Sequence, residues 1–129
     1  MPARILIIED DPGSAELARY LLDSAGHAVL IAIDGSAGAR MAVEEKPDIV
    51  LCDLHLPVMN GPAVVAQVLA DPNWQPVPFI ALTASSMVGD REKTLAWGFD
   101  DYLSKPITPE TFVRQIEGFL PLALRIGVK

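Results

Sequence analysis

A chain of 129 residues, 50% hydrophobic and 21% charged, has the size and apolar content of one folded domain. Ten Lys and Arg against seventeen Asp and Glu leave a net charge of −7, which argues against electrostatic binding to nucleic acid or to a membrane, since both need a basic face. The single Cys52 excludes an internal disulfide and a multi-cysteine zinc site, and neither a membrane span nor a signal peptide is expected, so the chain reads as soluble and cytoplasmic.

Apolar runs alternate with helical patterns from end to end. Arg4 to Ile8 predicts a first strand, ending abruptly in Glu9, Asp10 and Asp11. Pro12 to Ala25 carries Leu17, Leu21 and Leu22 at helical spacing, and Gly26 sits where a helix-terminating glycine belongs. Ala28 to Ile33 predicts a second strand, and Ser36 to Glu45 a helix stopped by Lys46-Pro47. Ile49 to Cys52 is a third strand leading into Asp53, after which Gly61-Pro62 opens a helix through Val64, Val65, Val68 and Leu69. Two prolines and an asparagine make a turn of 71–76. Val77 to Leu82 predicts a fourth strand ending in Thr83, and Val88 to Trp97 a helix closed by Gly98. Asp101 to Ser104 is a short fifth strand before Lys105-Pro106. Thr108-Pro109-Glu110 begins a last helix through Phe112, Ile116 and Phe119, which Pro121 is expected to end.

No repeat, linker or low-complexity stretch divides the chain, so 1–121 is expected to be one domain and 122–129 a C-terminal tail. Strands that are apolar throughout, alternating with helices, imply an α/β fold whose parallel sheet is covered on both faces. With right-handed crossovers the flavodoxin-like (βα)5 arrangement, strand order 2-1-3-4-5, is the expected topology.

In such a sheet ligands bind at the carboxyl ends of the strands. Those ends supply Glu9, Asp10, Asp11, Asp53, Thr83 and Lys105, and none carries a glycine-rich phosphate loop. Crowded carboxylates raise one another's pKa values, and a hard cation such as Mg²⁺, which takes oxygen ligands, relieves the repulsion. Lys105 adds a second positive group and Thr83 a hydroxyl. The set suits phosphoryl transfer to a carboxylate nucleophile, with Asp53 attacking in line. Cys52 reads as a small buried hydrophobe, Met41, Met59 and Met87 as packing residues, and His27 and His55 as solvated.

Four blocks of sequence, 5–11 (Ile-Leu-Ile-Ile-Glu-Asp-Asp), 47–61 (Pro-Asp-Ile-Val-Leu-Cys-Asp-Leu-His-Leu-Pro-Val-Met-Asn-Gly), 81–84 (Ala-Leu-Thr-Ala) and 98–107 (Gly-Phe-Asp-Asp-Tyr-Leu-Ser-Lys-Pro-Ile), resemble the receiver domains of two-component response regulators, the CheY-like family. The resemblance covers essentially the whole chain. It implies that Asp53 is the phosphoacceptor, that Asp10 ligates Mg²⁺ directly and Glu9 through a water, and that the backbone carbonyl of His55 is a further ligand. Thr83 and Lys105 would contact the phosphoryl group, Lys105-Pro106 would be cis, and Asp11 would only help the first helix start. Tyr102 matches the aromatic switch residue, which with Thr83 would change the face made by the fourth helix, fifth strand and fifth helix.

The expected partners are a sensor histidine kinase or histidine phosphotransfer protein, docking along the first helix around Leu17 to Leu21, and a downstream protein target. The chain would be a signalling phosphoacceptor, not an enzyme, although it would assist its own phosphorylation and dephosphorylation. A stand-alone regulator is expected, because only a helix and a tail follow Lys105. A receiver excised from a hybrid histidine kinase is the alternative. Two other classes fit less well. A haloacid-dehalogenase-type hydrolase usually needs an Asp two residues after its nucleophile, where His55 stands, and a flavodoxin needs a phosphate loop after the first strand. His55 itself could alter phosphoryl lifetime. Trp97, bulky at the end of the fourth helix, is expected to pack against Phe99, with a partner anchor as the other reading.

Overall fold

The apolar runs become strands and the helical patterns become helices. The computed structural model describes residues 2–84, 90–121 and 124. In chain order the elements are β1 (Arg4–Ile8), α1 (Pro12–Ser24), β2 (Ala28–Ala32), α2 (Gly35–Glu44), β3 (Ile49–Asp53), α3 (Gly61–Ala70), β4 (Phe79–Thr83), α4 (Asp90–Trp97), β5 (Asp101–Ser104) and α5 (Pro109–Glu117). All strand pairs are parallel and the sheet order is β2-β1-β3-β4-β5, as the alternation implied. The expected α4 start at Val88, the packing of Met87 and the tail, apart from Leu124, lie outside the described residues. Among the described residues no helix is long and apolar enough to cross a membrane.

Successive side chains of a strand point to opposite faces, and here both faces are covered. Ile5, Ile7, Ile49, Leu51, Ile80 and Leu82 meet Ala18 and Leu22 of α1 and Phe112 and Ile116 of α5. Leu6, Ile8, Val50, Cys52, Phe79 and Ala81 meet Ala39 and Ala42 of α2 and Val64, Val65 and Val68 of α3. With no solvent face, the strands need no polar alternation, which is why they read as continuous apolar runs. Met41 and Met59 pack against the second of these clusters, as expected.

Helix starts follow the capping residues. The side chains of Asp11, Asp34 and Asn60 accept from the backbone N–H of Ser14, Ala37 and Ala63 at 2.8, 2.7 and 3.0 Å. Each satisfies a donor that the first turn leaves orphaned. Gly26 and Gly98, at φ +99° and +114°, supply the left-handed turns after α1 and α4.

Several boundaries differ from expectation. β2 stops at Ala32, because its one neighbour, β1, ends at the register partner Ile8, and Ile33 is left 70% exposed. β4 begins at Phe79, since Pro76 and Pro78 lack the N–H a ladder needs. α5 ends at Glu117, with Gly118 in the cap position, so Phe119 lies beyond the helix and Pro121 does not end it.

Two side chains also differ. His27 is buried, not solvated: its Nδ1 accepts the N–H of Ala3 at 3.0 Å and its Nε2 lies 2.7 Å from Glu117 Oε2. A ring nitrogen that accepts carries no proton, so Nε2 is the nitrogen that donates to Glu117. Trp97 remains 43% exposed, while Phe99, past the turn at Gly98, is buried edge-on against Phe79 at 5.5 Å between ring centroids.

Candidate functional site

The carboxyl ends of β1, β3, β4 and β5 lie side by side because their strands are neighbours in register. Ile8 pairs with Cys52, Asp53 with Leu82, and Thr83 with Ser104. The residues leaving those strands therefore share one edge of the sheet. Glu9, Asp10 and Asp53 each place a carboxylate oxygen within 4.8 Å of the others. Glu9 and Asp53 are buried and Asp10 is exposed, so the cluster opens to solvent on the Asp10 side.

Lys105 crosses to this cluster from the end of β5. Its Nζ donates to Glu9 Oε1 at 2.5 Å and to Asp53 Oδ2 at 3.1 Å. The other oxygen of Asp53, Oδ1, accepts the backbone N–H of His55 at 3.0 Å. Thr83 is buried at the end of β4, and its carbonyl accepts the Lys105 N–H at 2.7 Å. The Lys105-Pro106 bond is cis.

The charges are unequal in their surroundings. Burial pushes the carboxyl of Glu9 up, and hydrogen bonding to Lys105 only partly offsets it. Burial acts on Asp53 the same way, but the His55 N–H, Glu9 and Lys105 outweigh it, so Asp53 is lowered. The Lys105 ammonium loses solvent, yet its bonds to Glu9 and Asp53 raise it. The arrangement thus keeps Asp53 ionised, and an ionised carboxylate is the form that can act as a nucleophile. Cys52, one residue before it, is pushed up by burial first and then by Asp53 and Glu9, which suits a core residue and not a reactive thiol.

Of the strand-end residues singled out from the sequence, Glu9, Asp10, Asp53 and Lys105 bring their side chains together here, Thr83 adjoins them through its carbonyl on the Lys105 N–H, and the Asp11 side chain caps α1, as expected. His55 is exposed beside Asp53, and Tyr102 is half-buried on β5, paired with Ala81 and packed against the α2–α3 core. An apolar cavity of about 310 Å³ runs from Glu9 and Lys105 between α1 and the β5–α5 loop, lined by Leu17, Ala18, Leu82 and Ile107 among others. Its α1 wall follows the helical spacing of Ser14, Leu17 and Ala18, but the opposite wall comes from residues far along the chain.

Residues 5–117 match the family model described as the response regulator receiver domain. The chain belongs to that family. It is therefore a receiver domain of two-component signalling, with the CheY-like fold that its neighbours in structure share. The receiver is 36% identical over 118 residues to PilH of Pseudomonas aeruginosa, covering 92% of this chain and 98% of PilH. It is 36% identical over 123 residues to RpaA of Synechocystis, a DNA-binding dual master transcriptional regulator. That match takes in 95% of this chain, which spans about half the length of RpaA (51%). Among solved structures, the receiver domain of the sensor histidine kinase PA1611 from Pseudomonas aeruginosa superposes with a TM-score of 0.82. It is 34% identical over 99% of this chain and 100% of that one, and it was crystallised with a magnesium ion coordinated in its active-site cleft.

Proposed function

We propose that this receiver accepts a phosphoryl group on Asp53 from a phosphohistidine of a sensor kinase or phosphotransfer protein. The observation that carries the proposal is the meeting of Asp53, Glu9, Asp10 and Lys105 at one edge of the sheet, with Asp53 held ionised. An Asp53 carboxylate oxygen attacks phosphorus, the phosphorus–nitrogen bond breaks, and the imidazole nitrogen leaves with the electron pair and takes up a proton. Lys105 would shift from Asp53 Oδ2 onto a phosphoryl oxygen, and Thr83 would donate its hydroxyl to another.

Three carboxylates within reach of one another form an all-oxygen, anionic donor set, which fits a hard divalent cation and no soft metal. Asp10, Asp53, Glu9 and the backbone carbonyl of His55 would hold Mg²⁺. The ion supplies positive charge that offsets the build-up on the phosphoryl oxygens.

Phosphorylation adds up to about two negative charges at Asp53. Thr83 moving toward them and Tyr102 turning further inward would alter the α4–β5–α5 face, through which a downstream protein reads the signal. The donor would dock along α1, where Leu17 borders the cavity beside Lys105. The likeness to PilH over nearly all of that protein supports a free-standing regulator, and the likeness to the PA1611 receiver supports a domain of a kinase. The length of the native reading frame separates the two.

Incubation with acetyl phosphate, with and without Mg²⁺, followed by intact-mass measurement tests the central reading. One phosphate adduct that needs Mg²⁺ and is absent in Asp53→Asn is the expected result. An adduct that survives Asp53→Asn overturns it.

A further inference from the structure

A second cavity lies at the opposite edge of the sheet from Asp53. It has a volume of about 390 Å³ and opens where β4 and β5 begin, with Phe79, the first residue of β4, in its wall. That is about 13 Å along the strand from Thr83. Backbone chemistry keeps the space open. Pro76 and Pro78 have no N–H with which to carry β4 into it. Gly98, at φ +114°, turns the chain without a Cβ, where one would lie 2.6 Å from Leu69 Cδ1.

The wall is aromatic and its charge is negative. The Trp74 ring stands edge-on to Phe79 at 5.9 Å between centroids, and Phe119, just past the end of α5, lines the same space. Asp100 supplies an exposed carboxylate. Its Oδ2 accepts the Phe79 N–H at 2.8 Å, and its own N–H donates to the Phe79 carbonyl at 2.8 Å, so the residue is fixed against β4. Oδ1 bonds to no described residue, and no Lys, Arg or His stands among the described residues of the wall.

We propose that this cavity binds an organic ammonium ion with a flat apolar body, a primary arylalkylamine, at a site apart from the phosphoacceptor. The apolar body leaves water against Leu69, Trp74 and Phe79. The ammonium donates to Asp100 Oδ1 in a charge-assisted bond, and aromatic neighbours favour a cation further. Charge complementarity selects this occupant. An anion would meet the Asp100 carboxylate in a chain of net charge −7, and a neutral molecule would gain nothing from it.

The probe is 2-phenylethylammonium, titrated into the full chain carrying Trp97→Phe, in which Trp74 is the remaining tryptophan and reports on its own wall. A saturable change in Trp74 fluorescence is expected, with a Kd of about 0.1–1 mM. The uncharged 2-phenylethanol should bind at least about fivefold more weakly, and phenylacetate should not saturate. Asp100→Asn removes the charge and keeps an acceptor for the Phe79 N–H, so the variant should fold and lose at least about threefold in affinity for the ammonium. Asp53→Asn should leave that affinity within about twofold, which separates this cavity from the acidic cluster at the other edge. The proposal is overturned by no saturation up to about 10 mM, by saturation with phenylacetate, or by an alcohol that binds within about fivefold of the ammonium. A loss under about threefold in Asp100→Asn, or beyond about twofold in Asp53→Asn, overturns it as well.

Discussion

Replacing Lys105 with Met tests how the acidic cluster is held together. The substitution keeps most of the aliphatic stem and removes the ammonium that bonds Glu9 and Asp53. Glu9, whose side chain is 2% exposed, would then be a buried carboxylate without its counter-charge. Breaking a buried ion pair by removing one partner costs about 3–5 kcal/mol when both groups are dry. Here protonation limits the loss. Each pH unit between the ordinary Glu value of 4.5 and the solution is worth about 1.4 kcal/mol, so taking up a proton at Glu9 caps the penalty near 3.4 kcal/mol at pH 7.

A carboxyl raised in the folded state destabilises at pH values above its folded pKa, and the deficit fades as pH falls toward the unfolded value. At pH 5 the cap is about 0.7 kcal/mol. Urea unfolding in EDTA, so that no divalent cation replaces the ammonium, should therefore show Lys105→Met less stable by about 2–3.4 kcal/mol at pH 7 and by under about 1 kcal/mol at pH 5. In thermal melts the pH 7 deficit corresponds to about 10 °C. An equal deficit at both pH values, or one below about 0.5 kcal/mol at pH 7, refutes the argument that Lys105 compensates a buried Glu9 charge.

Other consequences follow from single contacts. Asp10→Asn should weaken Mg²⁺ binding, measured by calorimetry, by at least about tenfold, since even outer partners of metal ligands cost that much; an unchanged affinity removes Asp10 from the metal site. Cys52, buried and with its thiol pushed up, should react with a thiol reagent at pH 8 only as fast as the whole domain unfolds, and prompt labelling would contradict its place in β3. His27→Ala takes the ring from both Glu117 and the Ala3 N–H and should cost about 2–4 kcal/mol in urea unfolding, with a loss under about 1 kcal/mol showing that the contact is dispensable. Gly38→Ala would set a Cβ 2.6 Å from the buried Ile8 side chain, and a cost of about 1–3 kcal/mol is expected, where a neutral result would mean that β1 yields easily just before Glu9.

Local chemistry accounts for most of what could be read without coordinates. Apolar runs too dry to alternate meant strands covered on both sides, and Asp11, Gly26, Pro62 and Gly98 marked helix ends through effects confined to a turn or two. The rule that parallel sheets bind at their carboxyl ends then singled out Glu9, Asp10, Asp53, Thr83 and Lys105, because order along the chain and a common crossover hand leave those ends adjacent. What one stretch of sequence cannot hold is the identity of a distant neighbour. His27, between a glycine and a strand, looks like a surface residue until Glu117, 90 positions later, and the Ala3 N–H close over it. The opposite happens to Trp97, which Gly98 turns away from the core that takes Phe99. The split between a raised Glu9 and a lowered Asp53 likewise belongs to the assembled edge. Burial and charge neighbours 96 residues apart come into being only when the strands are in register.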